Sequence, residues 1–262
     1  MLIGVDIGTS SVKAGAYGDD GRFLAVGRSR PYTFDSPHEG WSQADPSQWS
    51  DRMCEALRDL YRVDGIRSRR VRAVGLSVLF PALAPLDRDG NALYPAILYN
   101  DLRSGASVDI IRSSLDPGVY ERIIGNLVVP GTCAATSLVW LREHEPVIFQ
   151  KCDCLGFANT SVLARLTGQS VTDTTNSALS GLVDMRRPHL WSDQLLDALG
   201  LDSSALPRIV RPWEVVGEVE GRAAEETGIP KGTPVVCGCG DSISGSFGAG
   251  VIDPQTVAYQ TV

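Results

Sequence analysis

Residues 2–26 read Leu2-Ile3-Gly4-Val5-Asp6-Ile7-Gly8-Thr9-Ser10-Ser11-Val12-Lys13-Ala14-Gly15-Ala16-Tyr17-Gly18-Asp19-Asp20-Gly21-Arg22-Phe23-Leu24-Ala25-Val26. The short apolar run at 2–6 predicts a buried strand. Val12 to Tyr17 predicts a second, Gly18-Asp19-Asp20-Gly21 a turn, and Phe23 to Val26 a third. The result is a strand–loop–strand–turn–strand meander. Asp6 ends its first strand and meets a loop of glycine and hydroxyl residues.

Outward from the meander, helical and strand patterns alternate. Asp45-Pro46 places an acid and a proline at the start of a helix expected to run to about Tyr61. Val71 to Leu79 is the next strand, parallel to the first because a helix precedes it. A turn at 87–91 precedes the strand Pro95 to Leu98. Helices are expected over 103–113, 134–144, 160–167 and 191–199, the last ended by Gly200. Ala223 to Thr227 ends at Gly228, and a turn leads into a strand at 235–239. Antiparallel meander, parallel strands and covering helices together make an α/β fold.

The strand at 235–239 opens a second unit like the first: Val235-Val236-Cys237-Gly238-Cys239-Gly240-Asp241-Ser242. Again a buried strand meets glycine and a carboxylate. Two such units suggest phosphoryl transfer. A strand-end Asp6 can hold Mg²⁺, which takes few protein carboxylates and keeps its waters. Gly8 lets backbone N–H groups approach a phosphate, Thr9 and Ser10 can donate to it, and Lys13 adds a positive charge. Asp241 can take the proton of a sugar hydroxyl. The plainer readings are an Asx turn at Asp6 and a helix N-cap at Asp241. A third segment, Tyr99-Asn100-Asp101-Leu102-Arg103, can stack on and hydrogen-bond a polyol. Its plainer reading is a cap at Asp101, with Arg103 on the surface.

Composition removes other functions. The 262 residues carry a net charge of −7, with 43% hydrophobic and 21% charged residues. An acidic chain argues against a nucleic-acid or anionic-membrane surface. The run Arg67-Ser68-Arg69-Arg70 reads as a solvated helix end. No apolar stretch approaches the roughly 20 residues of a membrane span, and the cytoplasm is the expected location. The six cysteines read as buried thiols, with Cys237 and Cys239 on one face of their strand. The three histidines read as surface or structural, and the five tryptophans as core or half-buried anchors.

In order and spacing, these residues resemble the FGGY family of carbohydrate kinases, nearest its xylulokinase-like branch. The likeness rests on Asp6-Ile-Gly-Thr-Ser10, Gly40-Trp-Ser-Gln43 with Asp45-Pro46, and Pro95-Ala-Ile-Leu98 with Asn100-Asp101. Further along it rests on Gly125-Asn126, Trp191-Ser192, Thr227-Gly228-Ile-Pro230 and Gly232-Thr-Pro-Val235 leading to Gly240-Asp241. The resemblance implies an actin-like, ribonuclease-H-like domain that transfers the γ-phosphate of ATP, with Mg²⁺, to a sugar or polyol. Asp241 falls at the family's catalytic base, Asp6 at its metal- and phosphate-associated acid, and Lys13 at a basic position after the first phosphate loop. Gly8, Thr9, Ser10 and Gly240 would then face phosphate. Phe80, Pro81, Tyr99, Asn100 and Asp101 would line the sugar pocket with Asp241.

The resemblance also implies residues 1–245 as the N-terminal sugar-binding domain and 246–262 as the start of an ATP-binding C-terminal domain. The chain alone would then be inactive. Separately, its β-prone end, Val257 to Val262, presents an unpaired strand edge expected to pair with another copy, in a homodimer or a crystal contact. Leu79-Phe80-Pro81-Ala82 stands where xylulokinase-like members have Gln-Met-His-Gly. Tyr99 replaces a Trp, Asn159-Thr160-Ser161 a Lys-Asp-Tyr stretch, and Ser137 a Lys. These changes imply a sugar or polyol other than D-xylulose. The alternatives from other classes are a non-catalytic sugar-binding or regulatory module, and a chaperone- or filament-type ATPase module.

Overall fold

The protein was analysed as a computed structural model that describes residues 1–253 and 255. Three strands open it: β1 (Leu2–Ile7), β2 (Val12–Tyr17) and β3 (Phe23–Arg28). A short β4 (Gln43–Ala44) leads to α1 (Ser47–Leu60). Then come β5 (Ala73–Val78), β6 (Ala82–Leu86) and β7 (Ala96–Leu98). A helical stretch holds α2 (Ser107–Ser113), α3 (Val119–Ile124), α4 (Ala134–His144) and α5 (Pro146–Lys151). It is followed by β8 (Cys154–Phe157), α6 (Ala158–Thr167), β9 (Val171–Asp173), α7 (Thr174–Ala178) and α8 (Asp193–Leu199). The described part closes with β10 (Arg208–Val210), β11 (Val215–Glu218), α9 (Gly221–Thr227), β12 (Pro234–Gly240) and α10 (Asp241–Gly248).

The principal sheet has six strands in the order β11-β12-β5-β1-β2-β3. β1, β2 and β3 pair antiparallel, as the meander requires, while β5 runs parallel to both β1 and β12. The period-2 pattern of β1 explains its place near the sheet's centre. Ile3, Val5 and Ile7 enter the core, and Gly4 and Asp6 face the other way. Helix α1 covers that core with Trp49, Met53, Ala56, Leu57 and Leu60, an apolar stripe at helical spacing. Each large side chain buried there stabilises the fold by about 1.5–3 kcal/mol before chain entropy is subtracted.

A second sheet, β4-β7-β6-β8, lies behind a second core that includes Tyr120, Leu138, Trp140 and Leu196. The sequence reading found β7 but not this sheet, because β4 and β7 are only two and three residues long. The helix expected at 103–113 begins at Ser107 instead. The basic run at 67–70 is exposed, in turns past the end of α1. Trp213 is 72% exposed and anchors nothing in the core, contrary to expectation. All six cysteines are free thiols. Among the described residues no helix is long and apolar enough to cross a membrane. The expected dimer strand, Val257 to Val262, lies outside the described residues, and the expected domain boundary after residue 245 falls inside α10.

Candidate functional site

The C-terminal ends of β1 and β12 open onto one cleft of about 970 Å³. Asp6, Thr9, Ser10, Lys13, Phe80, Pro81, Tyr99 and Asp241 all line it, with Ser77 and Thr132 beside them. Two carboxylates more than 230 residues apart in sequence therefore share one solvent-filled space. β5 separates β1 from β12 in the sheet, so their ends lie close but not adjacent.

Asp6 is held from below. Parallel register places Ser77 directly beside it, and Ser77 Oγ donates to Asp6 Oδ1 at 2.9 Å. Lys13, opposite Asp6 on β2, brings Nζ to 3.7 Å from Oδ2. Both side chains remain substantially exposed, so this ion pair contributes little to stability and leaves the charges available to a ligand. The 8–11 loop is pinned by Tyr32, whose hydroxyl donates to the Gly8 carbonyl and whose N–H donates to Ser10 O at 2.9 Å. Burial pushes the Tyr32 phenol up to about 12, with Asp6 nearby adding to the rise, so it stays a donor.

Asp241 reaches the cleft because β12 is broken just before it. Gly238 adopts φ +77°, and the pairing with β5 slips between Val236 and Cys239. A Cβ at Gly238 would lie 1.7 Å from the Leu76 carbonyl oxygen, so only glycine fits this bulge. The bulge also breaks the shared face expected for Cys237 and Cys239. Cys237 is fully buried, while Cys239 is partly exposed and sits 3.1 Å from Ser244 Oγ. Asp241 is the first residue of α10, one position beyond the cap expected for it, and its Oδ1 accepts from Ser242 N–H at 2.7 Å. Its carboxyl is pushed above the usual carboxylate range by burial, against the Ser242 N–H bond and with the negative charge of Asp6 adding to the rise.

Three of the expected ligand residues, Gly240, Asn100 and Asp101, do not line the cleft. Gly8 does line it, with its own N–H turned inward to Ser11 O at 3.2 Å. The Gly240 N–H is taken by Thr175 Oγ1 at 2.9 Å. Asn100 is exposed but does not line the cleft. Asp101 is fully buried and faces away from it. Its Oδ2 accepts from Ser42 N–H at 2.5 Å and lies 2.8 Å from Arg103 Nη2. Arg103 is no surface residue: its side chain is wholly buried, its guanidinium lies 3.7 Å from the Trp41 ring centroid, and it donates to Gln43. Trp41, Ser42 and Gln43 thus work as a structural clasp for Asp101 and Arg103. Sequence reasoning missed Ser77, which the register of two parallel strands points to, and Tyr32 and Thr175, which no local pattern marks.

The donor set suits an ion carried in by a phosphate. Among the described residues no three His, Cys, Asp or Glu side chains cluster to cage a metal. A partly exposed Asp6 beside hydroxyls and a lysine fits Mg²⁺ held through one carboxylate, water and phosphate oxygens.

Comparison with known proteins shows what this chain is similar to. The profile of the N-terminal domain of the FGGY family of carbohydrate kinases matches residues 1–248. The xylulose kinase of Escherichia coli (strain K12) is 32% identical over 257 residues, which cover 97% of this chain and 51% of that protein. The L-xylulose/3-keto-L-gulonate kinase of the same organism is 30% identical over 259 residues, covering 97% of this chain and 51% of that protein. The crystal structure of xylulose kinase from Rhodospirillum rubrum superposes with a TM-score of 0.89 at 31% identity, over 96% of this chain and 51% of that one. The chain spans about half the length of the curated relatives it matches. Its fold is the actin-like, ribonuclease-H-like α/β fold of these kinases.

Proposed function

Because the chain belongs to the FGGY family of carbohydrate kinases, we propose that it binds the sugar or polyol for an ATP-dependent phosphoryl transfer in which Asp241 is the general base. The observation that carries this reading is the convergence of Asp241 and Asp6 on one cleft, lined on its other sides by Phe80, Pro81 and Tyr99. Asp241 accepts the proton of a sugar hydroxyl as the hydroxyl oxygen bonds to the γ-phosphorus and the bond to the departing ADP breaks. Partial burial raises the affinity of Asp241 for that proton, which suits a base that must take it during transfer. When bound, Mg²⁺-ATP supplies the phosphoryl group and neutralises its developing charge. Asp6 would hold the metal, with Thr9, Ser10 and Lys13 toward the phosphates. Tyr99 and Phe80 offer aromatic surface to the C–H face of the acceptor.

The acceptor we propose is a sugar or polyol other than D-xylulose. Leu79 and Ala82 are buried, and Pro81 has no N–H to give, so this segment offers no polar side chain to a hydroxyl. Each sugar hydroxyl left unpaired there costs about 1–3 kcal/mol. Calorimetry of the chain against D-xylulose, other pentuloses, hexuloses and polyols is expected to rank D-xylulose below at least one other ligand. D-xylulose binding tightest would overturn that assignment. The base is tested with the chain joined to the ATP-binding half of a relative: Asp241→Asn should keep sugar binding and lose transfer, and retained turnover would leave Asp241 a helix-end residue only.

A further inference from the structure

Asp241 hangs from a strand end that is gripped on two sides. On one side the Phe80 ring packs onto Gly240. A Cβ there would lie 2.3 Å from the ring carbons. On the other side the Gly240 N–H donates to Thr175 Oγ1, a residue 65 positions earlier in the chain, at 2.9 Å. The Thr175 hydroxyl in turn donates to Asp173 Oδ1 at 2.5 Å. A backbone amide can only donate and a carboxylate oxygen here accepts, so the two partners fix which way the hydroxyl proton points.

Asp173 is fully buried, with no lysine or arginine paired to it among the described residues. Its oxygens are occupied by hydrogen bonds alone. Oδ1 also accepts from Thr175 N–H at 2.7 Å and Asn176 N–H at 3.3 Å. Oδ2 accepts from Asn159 Nδ2 at 2.9 Å and Asn176 Nδ2 at 2.6 Å. Capping of α7 accounts for the backbone bonds to Asp173. It does not account for a threonine hydroxyl that leaves α7 and ties down the residue just before Asp241.

We propose that Asp173 and Thr175 are positioning residues for Asp241: the buried carboxylate orients the Thr175 hydroxyl, which holds the Gly240 amide and so sets the direction in which Asp241 enters the cleft. This rests on the reading of Asp241 as the base. The grip is useful there because a base displaced by about 1 Å loses much of its effect. Asn159 belongs to the same network through Asp173, which gives its departure from the family's Lys-Asp-Tyr stretch a place: it is buried behind the strand end and does not line the cleft.

The test uses the chain itself and NMR readouts that do not require turnover. Thr175→Val keeps the shape and removes the hydroxyl. It is expected to speed hydrogen exchange of the Gly240 amide about tenfold and to move the Asp241 side-chain carboxyl resonance toward that of a solvent-exposed aspartate. Thr175→Ser should restore both. Should Thr175→Val not fold, Asp173→Asn serves, since it removes one acceptor and leaves the threonine in place; the same two signals should move, by less. An Asp241 resonance unchanged in a folded Thr175→Val or Asp173→Asn overturns the proposal. The position of Asp241 is read here whatever its chemistry, so this outcome stands apart from the Asp241→Asn transfer assay that decides the base.

Discussion

Asp101 follows β7 and Asp241 follows β12, and the structure puts these two aspartates to opposite uses. Both stand beside small or polar residues, and both look like ligands for a polyol. Asp101 turns inward, fully buried against Arg103 and the Ser42 N–H. Asp241 turns outward into the cleft, its carboxylate accepting from the Ser242 N–H. The difference lies in what is within reach. Asp101 has an arginine two residues away and a tryptophan face to receive it, so a local ion pair can close and be buried. Asp241 has the Ser242 N–H and a helix start, and no ion pair forms at it among the described residues. A strand-end acid is a ligand candidate to the extent that the chain leaves it unpaired.

The sharpest way to break this contrast is to change each acid to its amide. Asp241→Asn should lower phosphoryl transfer by about 10²–10⁴-fold while leaving the fold intact, read by coupled kinetics and circular dichroism. Asp101→Asn should do the reverse. It removes the partner of a buried guanidinium and should destabilise the fold by about 3–5 kcal/mol, measured by urea unfolding. A stable, folded Asp101→Asn with weakened sugar binding would make Asp101 a ligand after all.

The same contrast shows what the sequence made legible. The meander, the parallel β5 and the two strand-end acids follow from periodicity and from glycine placement, which are local. The inward turn of Asp101 was not legible, because Arg103 carries a charge and two tryptophans must first assemble around it. The Thr175 bond to Gly240 joins residues 65 apart, and nothing in either segment announces the other. The Gly238 bulge was written in the sequence as Cys-Gly-Cys, but glycine in a strand permits a bulge without requiring one. The cleft's composition was therefore readable at its strand ends and opaque where long-range packing decides which way a side chain faces.

Substitution at Gly240 sharpens the comparison at smaller scale. A methyl group there would overlap the Phe80 ring, which must move or lift the strand end. Gly240→Ala should destabilise the fold by about 1–3 kcal/mol and weaken ligand binding, because Phe80 also lines the cleft. Phe80→Leu combined with Gly240→Ala should recover part of the stability in a double-mutant cycle. Additive effects would mean that Phe80 and Gly240 do not press on each other.

The smallest expected effect concerns pH. The Asp241 carboxyl sits above the usual carboxylate range in the folded protein, first because it is partly buried, with the Ser242 N–H opposing and Asp6 adding to the rise. The unfolded chain returns it to about 3.9. Between the two values the folded state binds more protons than the unfolded state, so stability falls as pH rises through that window. The favourable contribution is fully present below the unfolded value and gone once pH exceeds the folded one. At pH 7 the ionised Asp241 is therefore a mild liability, offset in part by the positive end of α10. Asn carries no charge at either pH. Asp241→Asn should melt about 1–2 °C above wild type at pH 7, and the gap should close by about pH 3. Equal melting temperatures at both pH values would mean that water solvates Asp241 as fully in the cleft as in the unfolded chain, and a lower one at pH 7 that the charge is already paired.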